Sequence, residues 1–355
     1  MNTQRVLVVG GGIIGLAGAF RLALEGHHVT VLDPSVGHGA TWAAAGMIAP
    51  SAEIAPGELS NYRLQRQALG AWRELSERLE DVTGHGVSIH EAGTLLSGWD
   101  AGDRRLVEQF AQLAEEFDAP MHRVTRHDSP EVFEGLSPRM THGLVMEDDA
   151  WLDPDEAVER LRTGLRALGA DLVAEAAEHI GVDAAGVVAE TSSQTLRADV
   201  GLLATGSTPL PTGAAPSGAN VVRPVRGVTV RVRGFDRSDQ PMIRAFVRGR
   251  AFYMVSRPSG YCVLGATSDE RSELAIEVGE LQRLLRDGLD VVPALETASV
   301  SEIRYGLRPA SADLRPFFET IKPPGWAWVS GHYRHGVTLA PLAAREVADF
   351  VGARG

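Results

Sequence analysis

The stretch Arg5-Val6-Leu7-Val8-Val9-Gly10-Gly11-Gly12-Ile13-Ile14-Gly15 decides the fold. Residues 5–9 form a short β-branched run, which reads as a strand. The glycines after it fit G-x-G-x-x-G, with Gly10, Gly12 and Gly15 at the three glycine positions. A helical stretch is expected from about Ile14 to Glu25. Gly26-His27-His28 ends it, and Val29-Thr30-Val31-Leu32-Asp33 reads as a second strand. Three adjacent glycines alone could form an ordinary loop. Here they sit between strand and helix, and an acid, Asp33, follows 23 residues after Gly10. In that setting the glycines permit a tight turn and let a pyrophosphate approach the helix N-terminus, where backbone N–H groups favour an anion. Asp33, followed by Pro34, would accept hydrogen bonds from adenosine ribose hydroxyls. The unit reads as the dinucleotide-binding start of an α/β protein, and by itself it leaves NAD and FAD open.

Two further segments separate the dinucleotides. Gly39-Ala40-Thr41-Trp42-Ala43-Ala44-Ala45-Gly46-Met47-Ile48-Ala49-Pro50 is rich in small residues, which let backbone amides approach a large flat ligand. The bland alternative is a tightly packed helix start. Asp199-Val200-Gly201-Leu202-Leu203-Ala204-Thr205-Gly206 is an apolar strand ending in Thr205-Gly206, of the kind that returns to the first sheet beside the dinucleotide. Flavoproteins often show this pairing, and simple NAD dehydrogenases do not require it.

Composition sets the outer limits. The chain has 355 residues, 44% hydrophobic and 23% charged, which suits a well-packed globular protein of two domains. No apolar run approaches the ~20 residues of a membrane-spanning helix. The net charge of −12 argues against nucleic acid or an anionic membrane as partner. Cys262 is the only cysteine, so an internal disulfide and a multi-cysteine metal site are excluded. The eleven histidines form no convincing metal motif. No secretory leader pattern precedes the first strand, so a cytoplasmic protein is expected. Lys322 is the only lysine, leaving 33 arginines among the 34 basic residues.

Six segments together resemble the glycine oxidase branch of the D-amino-acid oxidase superfamily. They are VLVVGGGIIGLAGAF (6–20), GATWAAAGMIAP (39–50), LLATGSTP (202–209), RPVRGV (223–228), YGLRPASADLRPF (305–317) and GHYRHGVTLAP (331–341). The match spans essentially the whole chain. The resemblance implies an FAD-dependent amine oxidase in which hydride passes from the substrate α-carbon to flavin N5. The imine is then hydrolysed to glyoxylate plus an amine or ammonia, and O2 is reduced to H2O2. It also implies a Rossmann-type FAD domain, discontinuous over 1–85, 140–220 and 305–355. A substrate domain with a mostly antiparallel sheet would take 86–139 and 221–304. Residues 228–234, 251–256 and 261–267 read as strands of that sheet, with Arg257-Pro258-Ser259-Gly260 as a hairpin turn. Helices are expected at 59–83, 103–117, 154–168 with Asp153 as N-cap, 278–289 and about 342–351.

The resemblance assigns roles by position. Arg308 would clamp the substrate carboxylate, a task suited to a planar guanidinium. Tyr253 would hydrogen-bond the same carboxylate, although a half-buried strand tyrosine with a satisfied hydroxyl is nearly as good an account. Arg334 matches a substrate-binding position. Ala45, Gly46 and Met47, with His332, Tyr333, Arg334, His335, Gly336, Val337 and Thr338, would lie against the flavin. The amides of the last three residues would meet the pyrimidine edge, where a helix N-terminus favours the negative charge of reduced flavin. Ala40 and Thr41, with Ile13 and Ile14, complete the expected cofactor contacts. His332 and His335 are expected to be pocket residues rather than bases. The lone cysteine falls in a strand, so the FAD is expected to be noncovalent.

The chain departs from the family pattern at Val255-Ser256-Arg257, Ser268-Asp269-Glu270-Arg271, Arg308-Pro309-Ala310-Ser311, Phe318-Glu319 and Arg334-His335-Gly336. Changes around the pocket with the flavin motifs kept suggest an N-substituted glycine in secondary metabolism. Glycine oxidation for thiamine thiazole synthesis is the alternative. An amine dehydrogenase passing electrons to a partner protein and a non-catalytic flavin-binding subunit are the competing classes. The expected ligands are therefore a small amino acid or N-substituted glycine and O2, with homo-oligomerisation left open.

Overall fold

The computed structural model describes residues 3–216, 220–270 and 272–354. Arg271, the last residue of one departure named above, lies outside them, as do 217–219 of the expected first domain. Arg5–Val9 forms the middle one of five parallel strands in a seven-stranded sheet. Its parallel neighbours are His28–Leu32 and Val200–Leu203, with Asp171–Val173 and Trp326–Ser330 parallel beyond them. Phe317–Lys322 and Ala215–Pro216 close one edge antiparallel. The central strand is apolar at every position after Arg5 because both faces are covered, as expected of a parallel sheet. Helix Ile13–Leu24 packs on one face with Gly336–Gly352, and Leu16, Phe20 and Leu22 are fully buried there. Truncating one such side chain, Phe20→Ala, costs about 3–5 kcal/mol by removed contacts and residual cavity.

The second large sheet has eight strands, in the order Ser299–Ala310, Arg223–Arg233, Tyr261–Gly265, Arg250–Arg257, Met242–Val247, Thr94–Gly98, His142–Met146, His122–Thr125. All neighbours are antiparallel except Met242–Val247 with Thr94–Gly98. The hairpin turn is at 257–260, closed by the Gly260 N–H on the Arg257 carbonyl at 3.0 Å. Membership of this sheet reaches His142–Met146, past residue 139, because strand pairing rather than hydropathy sets where a chain changes sheets. Ser299–Ala310 carries the chain back across residue 305.

Helix ends differ from the sequence reading in two instructive places. Residues 59–83 form two helices, Leu59–Gln65 and Ala68–Thr83, broken at Arg66-Gln67. The C-terminal helix begins at Gly336, not near 342, and contains Pro341. A proline cannot donate to the carbonyl four residues back. That carbonyl, on Val337, accepts instead from the buried Trp72 Nε1–H at 2.9 Å. The helix therefore tolerates its proline because a neighbouring helix satisfies the freed acceptor.

Candidate active site

The glycine turn is built around contacts that no side chain could share. A Cβ on Gly15 would lie 1.9 Å from the Gly10 carbonyl oxygen, and one on Gly10 would lie 2.3 Å from that of Ala204. Asp33 braces the turn, accepting from Gly11 N–H and Ser35 N–H at 2.6 Å each. Pro34 lies in the turn between them. Thr41 Oγ1 accepts from Ile13 N–H at 3.1 Å and so ties the small-residue segment to the first helix. That helix has no side-chain N-cap and no acid in its first turn, with Gly12 and Ile14 only half-buried. Its N-terminal face is thus shaped and charged for an anion.

The small-residue segment crosses towards the C-terminal helix. Gly46 has φ +80°, and a Cβ there would lie 1.9 Å from the Leu152 carbonyl oxygen. Thr338 Oγ1–H donates to the Met47 carbonyl at 3.1 Å, so the 45–47 and 336–338 segments meet directly. The Ala45 carbonyl accepts from Arg257 Nη2–H, whose guanidinium lies 4.3 Å from the Trp151 ring centroid. Gly206 is fixed by Ser330 Oγ–H on its carbonyl at 3.1 Å, beside Thr205. Helix Ala40–Ala43 rests on Gly306, where a Cβ would lie 2.9 Å from that of Ala43. Helix Gly336–Gly352, like the first, has neither a side-chain cap nor an acid in its first turn. Two uncapped helix N-termini and a cradle kept open by glycines fit a dinucleotide with an anionic middle and a flat head.

One face of the eight-stranded sheet supplies the wall opposite. Arg308 lies across Gly227, where a Cβ would come within 2.3 Å of Arg308 Nη2. Its Nη1 is held by the carbonyls of Thr267 and Arg226 at 3.2 and 3.4 Å, leaving Nε and Nη2 without a protein partner among the described residues. Tyr253 lies in the same way over Gly265, where a Cβ would come within 2.3 Å of its hydroxyl. Burial pushes the Tyr253 phenol up to about 12, with Glu53 adding to the rise and Arg308 opposing it. It therefore keeps its proton at neutral pH and can donate.

His332 and His335 are buried, and burial pushes both down to about 4, so both are neutral near pH 7. His335 Nδ1 stands 3.4 Å from Glu53 Oε2 without a hydrogen-bond partner. With the ring uncharged, this is a contact rather than an ion pair. Arg334 is exposed, beside Tyr333 at φ +48°, and acts electrostatically on Glu53, Arg244 and His335.

Three residues of this cluster escaped the sequence reading. Arg244 faces Tyr253 in strand register, and its Nη1 donates to the Ala52 carbonyl and to Glu53 Oε1, the latter at 3.4 Å. Burial disfavours the Glu53 carboxylate, but Arg244, Arg334 and Arg308 together hold its pKa below the ordinary value. Asp149, fully buried beneath, accepts from Ser51 and Ala52 N–H at 3.1 and 3.2 Å, and burial raises it to about 7. The available signals were a glutamate three residues past Pro50 and an arginine inside the otherwise apolar run Met242–Val247.

Several departures from the family pattern lie elsewhere than expected. Phe318 packs on Phe350 at 5.3 Å, and Glu319 accepts from Asn220 Nδ2 at 2.9 Å, both on the first sheet rather than at the pocket. Asp269 and Glu270 pair with Arg226 and Arg223. Ser256 contacts buried Cys262 at 3.3 Å, within the apolar core of the second sheet. Among the described residues no group of three or more potential metal ligands occurs, and no helix is long and apolar enough to cross a membrane.

Residues 5–350 match the family described as FAD dependent oxidoreductase. A glycine oxidase of Bacillus licheniformis is 29% identical over 362 residues, covering 97% of this chain and 92% of that protein. A bifunctional protein ThiO/ThiG of Synechocystis sp. is 30% identical over 363 residues, 99% of this chain but 52% of that protein. The chain spans about half the length of the bifunctional relatives it matches. The crystal structure of glycine oxidase from Geobacillus kaustophilus superposes with a TM-score of 0.86 at 26% identity, over 99% of this chain and 96% of that one.

Proposed function

Because the chain belongs to the family of FAD dependent oxidoreductases, we propose that it oxidises glycine-type amines, glycine itself or an N-substituted glycine. The observation that carries this reading is Arg308 and Tyr253 laid on glycine floors of neighbouring strands, each with free donors, with Tyr253 packed in the apolar cluster that holds Ala45 and Met47. A carboxylate on Arg308 Nε and Nη2, with Tyr253 Oη–H as a further donor, orients the α-carbon towards the 45–47 and 336–338 segments. The expected cofactor contacts divide in three. Gly10, Gly12, Ile13, Ile14 and Gly15 would hold a pyrophosphate. Asp33 and Pro34 would meet the adenosine, with Ala40 and Thr41 between. Ala45, Gly46, Met47, Thr205, Gly206 and residues 332–338 would meet the flavin ring. When bound, FAD supplies the acceptor for the two electrons that leave the C–H and N–H bonds. The substrate, water and O2 give glyoxylate, the free amine or ammonia, and H2O2. Neutral His332 and His335 exclude water and carry no charge in this scheme.

The FAD is held without a covalent bond, since Cys262 is buried in the second sheet's core. Acid precipitation should release the yellow chromophore into the supernatant. The test of function is peroxide release screened with glycine, sarcosine, D-alanine and N-alkylglycines of increasing length. Turnover of glycine alone favours the thiamine setting suggested by the ThiO/ThiG relatives, and preference for substituted glycines favours secondary metabolism. Flavin that reduces with these amines but fails to reoxidise in air would make the protein a dehydrogenase instead. We place the activity in the cytoplasm.

A further inference from the structure

Arg244 is more than the reading above requires. It stands opposite Tyr253 in register, on the side away from Arg308 in the strand order. Its side chain is 15% exposed and Glu53's 14%, and their charged neighbours are Tyr253, Arg308, Arg334 and His335. Its hydrogen bonds run through Nη1 alone among the described residues, leaving Nε and Nη2 as donors. The charge is also unbalanced. Arg244, Arg308 and Arg334 converge on Glu53, and a glycine carboxylate neutralises only one of the two remaining cations. Asp149 spends both carboxylate oxygens on backbone amides. Arg334 is exposed, but it acts on Glu53 as Arg244 and Arg308 do, and a cluster with more cations than carboxylates attracts a further anion.

We propose that Arg244 forms a second acid-binding subsite, so that the preferred substrate is an N-(carboxyalkyl)glycine with one carboxylate on Arg308 and the other on Arg244. This rests on the amine-oxidase reading of the same site. Arg308 lies over Gly227, and Arg244 stems from the third strand beyond that one. At about 4.8 Å per strand the two anchors are ~14 Å apart at the backbone. A diacid of the length of iminodiacetate, or a few atoms longer, reaches between two guanidinium groups projecting inward from such anchors. Glu53 then faces the amine between the carboxylates and rejects a third anion.

The test uses the holoenzyme and two non-oxidisable thioethers, thiodiacetate and (methylthio)acetate, titrated by the change in flavin absorbance. The diacid should bind at least about tenfold more tightly, the scale of one charge-assisted pair. Arg244→Met should bring the two affinities within about threefold, and Arg244→Lys should restore part of the gap. In turnover, iminodiacetate and N-(2-carboxyethyl)glycine should exceed sarcosine and N-ethylglycine in kcat/KM by a similar factor. Equal thioether affinities in the unmodified enzyme, a measurement independent of any variant's folding, overturn the subsite. So does a gap that survives Arg244→Met. Oxidation of sarcosine without preference for diacids sinks the subsite and leaves the oxidase reading intact. Selective diacid binding with no amine oxidised does the reverse.

Discussion

In the proposed reading the molecule meets anions twice, by opposite means. At the first helix the device is main chain: glycines, backbone N–H groups and a helix terminus without an acid. Beside the second sheet the proposed device is made of side chains: Arg244 and Arg308 from that sheet and Arg334 from the loop after Trp326–Ser330, gathered around Glu53. The first device is contiguous in sequence and rigid, because Gly10 and Gly15 are each set against a backbone carbonyl oxygen. The second is gathered from residues 53, 244, 253, 308 and 334, and its charges control one another. A main-chain site fails when bulk is added, whereas a side-chain site fails when a charge or a donor is removed.

Substitutions can break that contrast in graded steps. The largest effect is expected from Gly15→Val or Gly46→Val. The added Cβ would sit 1.9 Å from a backbone carbonyl oxygen in either case, and at Gly46 the positive φ adds strain. Purified protein should lose most of its flavin absorbance, whatever the substrate site retains. Next comes Arg308→Met, which should leave flavin content unchanged while kcat/KM falls on the order of 10²-fold or more. An unaltered KM would remove Arg308 from the carboxylate clamp. Tyr253→Phe keeps the ring over Gly265 and deletes one donor, so KM should rise by about tenfold, the worth of one hydrogen bond to a charged group.

The smallest effect concerns His335. Its folded pKa of about 4 lies below the unfolded value near 6.5, so between these pH values the unfolded chain binds more protons. The stability associated with the neutral ring is complete above about pH 6.5 and is lost as pH falls towards 4. At pH 5.5 the loss is about 1 kcal/mol. Thermal melts at pH 7.5 and 5.5 should show a smaller gap for His335→Gln than for the parent protein. An identical gap would mean that the ring is already solvated.

The two regions were unequally legible in advance. The strand at 5–9, the glycine turn, Asp33 and the 257–260 turn follow from local rules, since neighbours in sequence make their key contacts. Arg308 and Tyr253 were reached through resemblance, and the structure supplies what that lacked, the glycine floors beneath them. Glu53 and Arg244 had only weak local signals. They lie 191 residues apart and matter because strand pairing sets Arg244 opposite Tyr253 while Asp149 holds the 51–52 amides. The start of the C-terminal helix was less legible for a similar reason: the Trp72 indole that lets it run through Pro341 is remote in sequence.

The sequence by itself determined the dinucleotide half, because backbone geometry and glycine spacing are local properties that survive being read one segment at a time. Only the tertiary structure decided the charge balance of the substrate wall. Whether an arginine is a solvated surface residue, a structural brace or an anion's partner depends on what burial and strand register bring within reach of it. In a chain with 33 arginines, composition cannot distinguish these roles, but the sheet does.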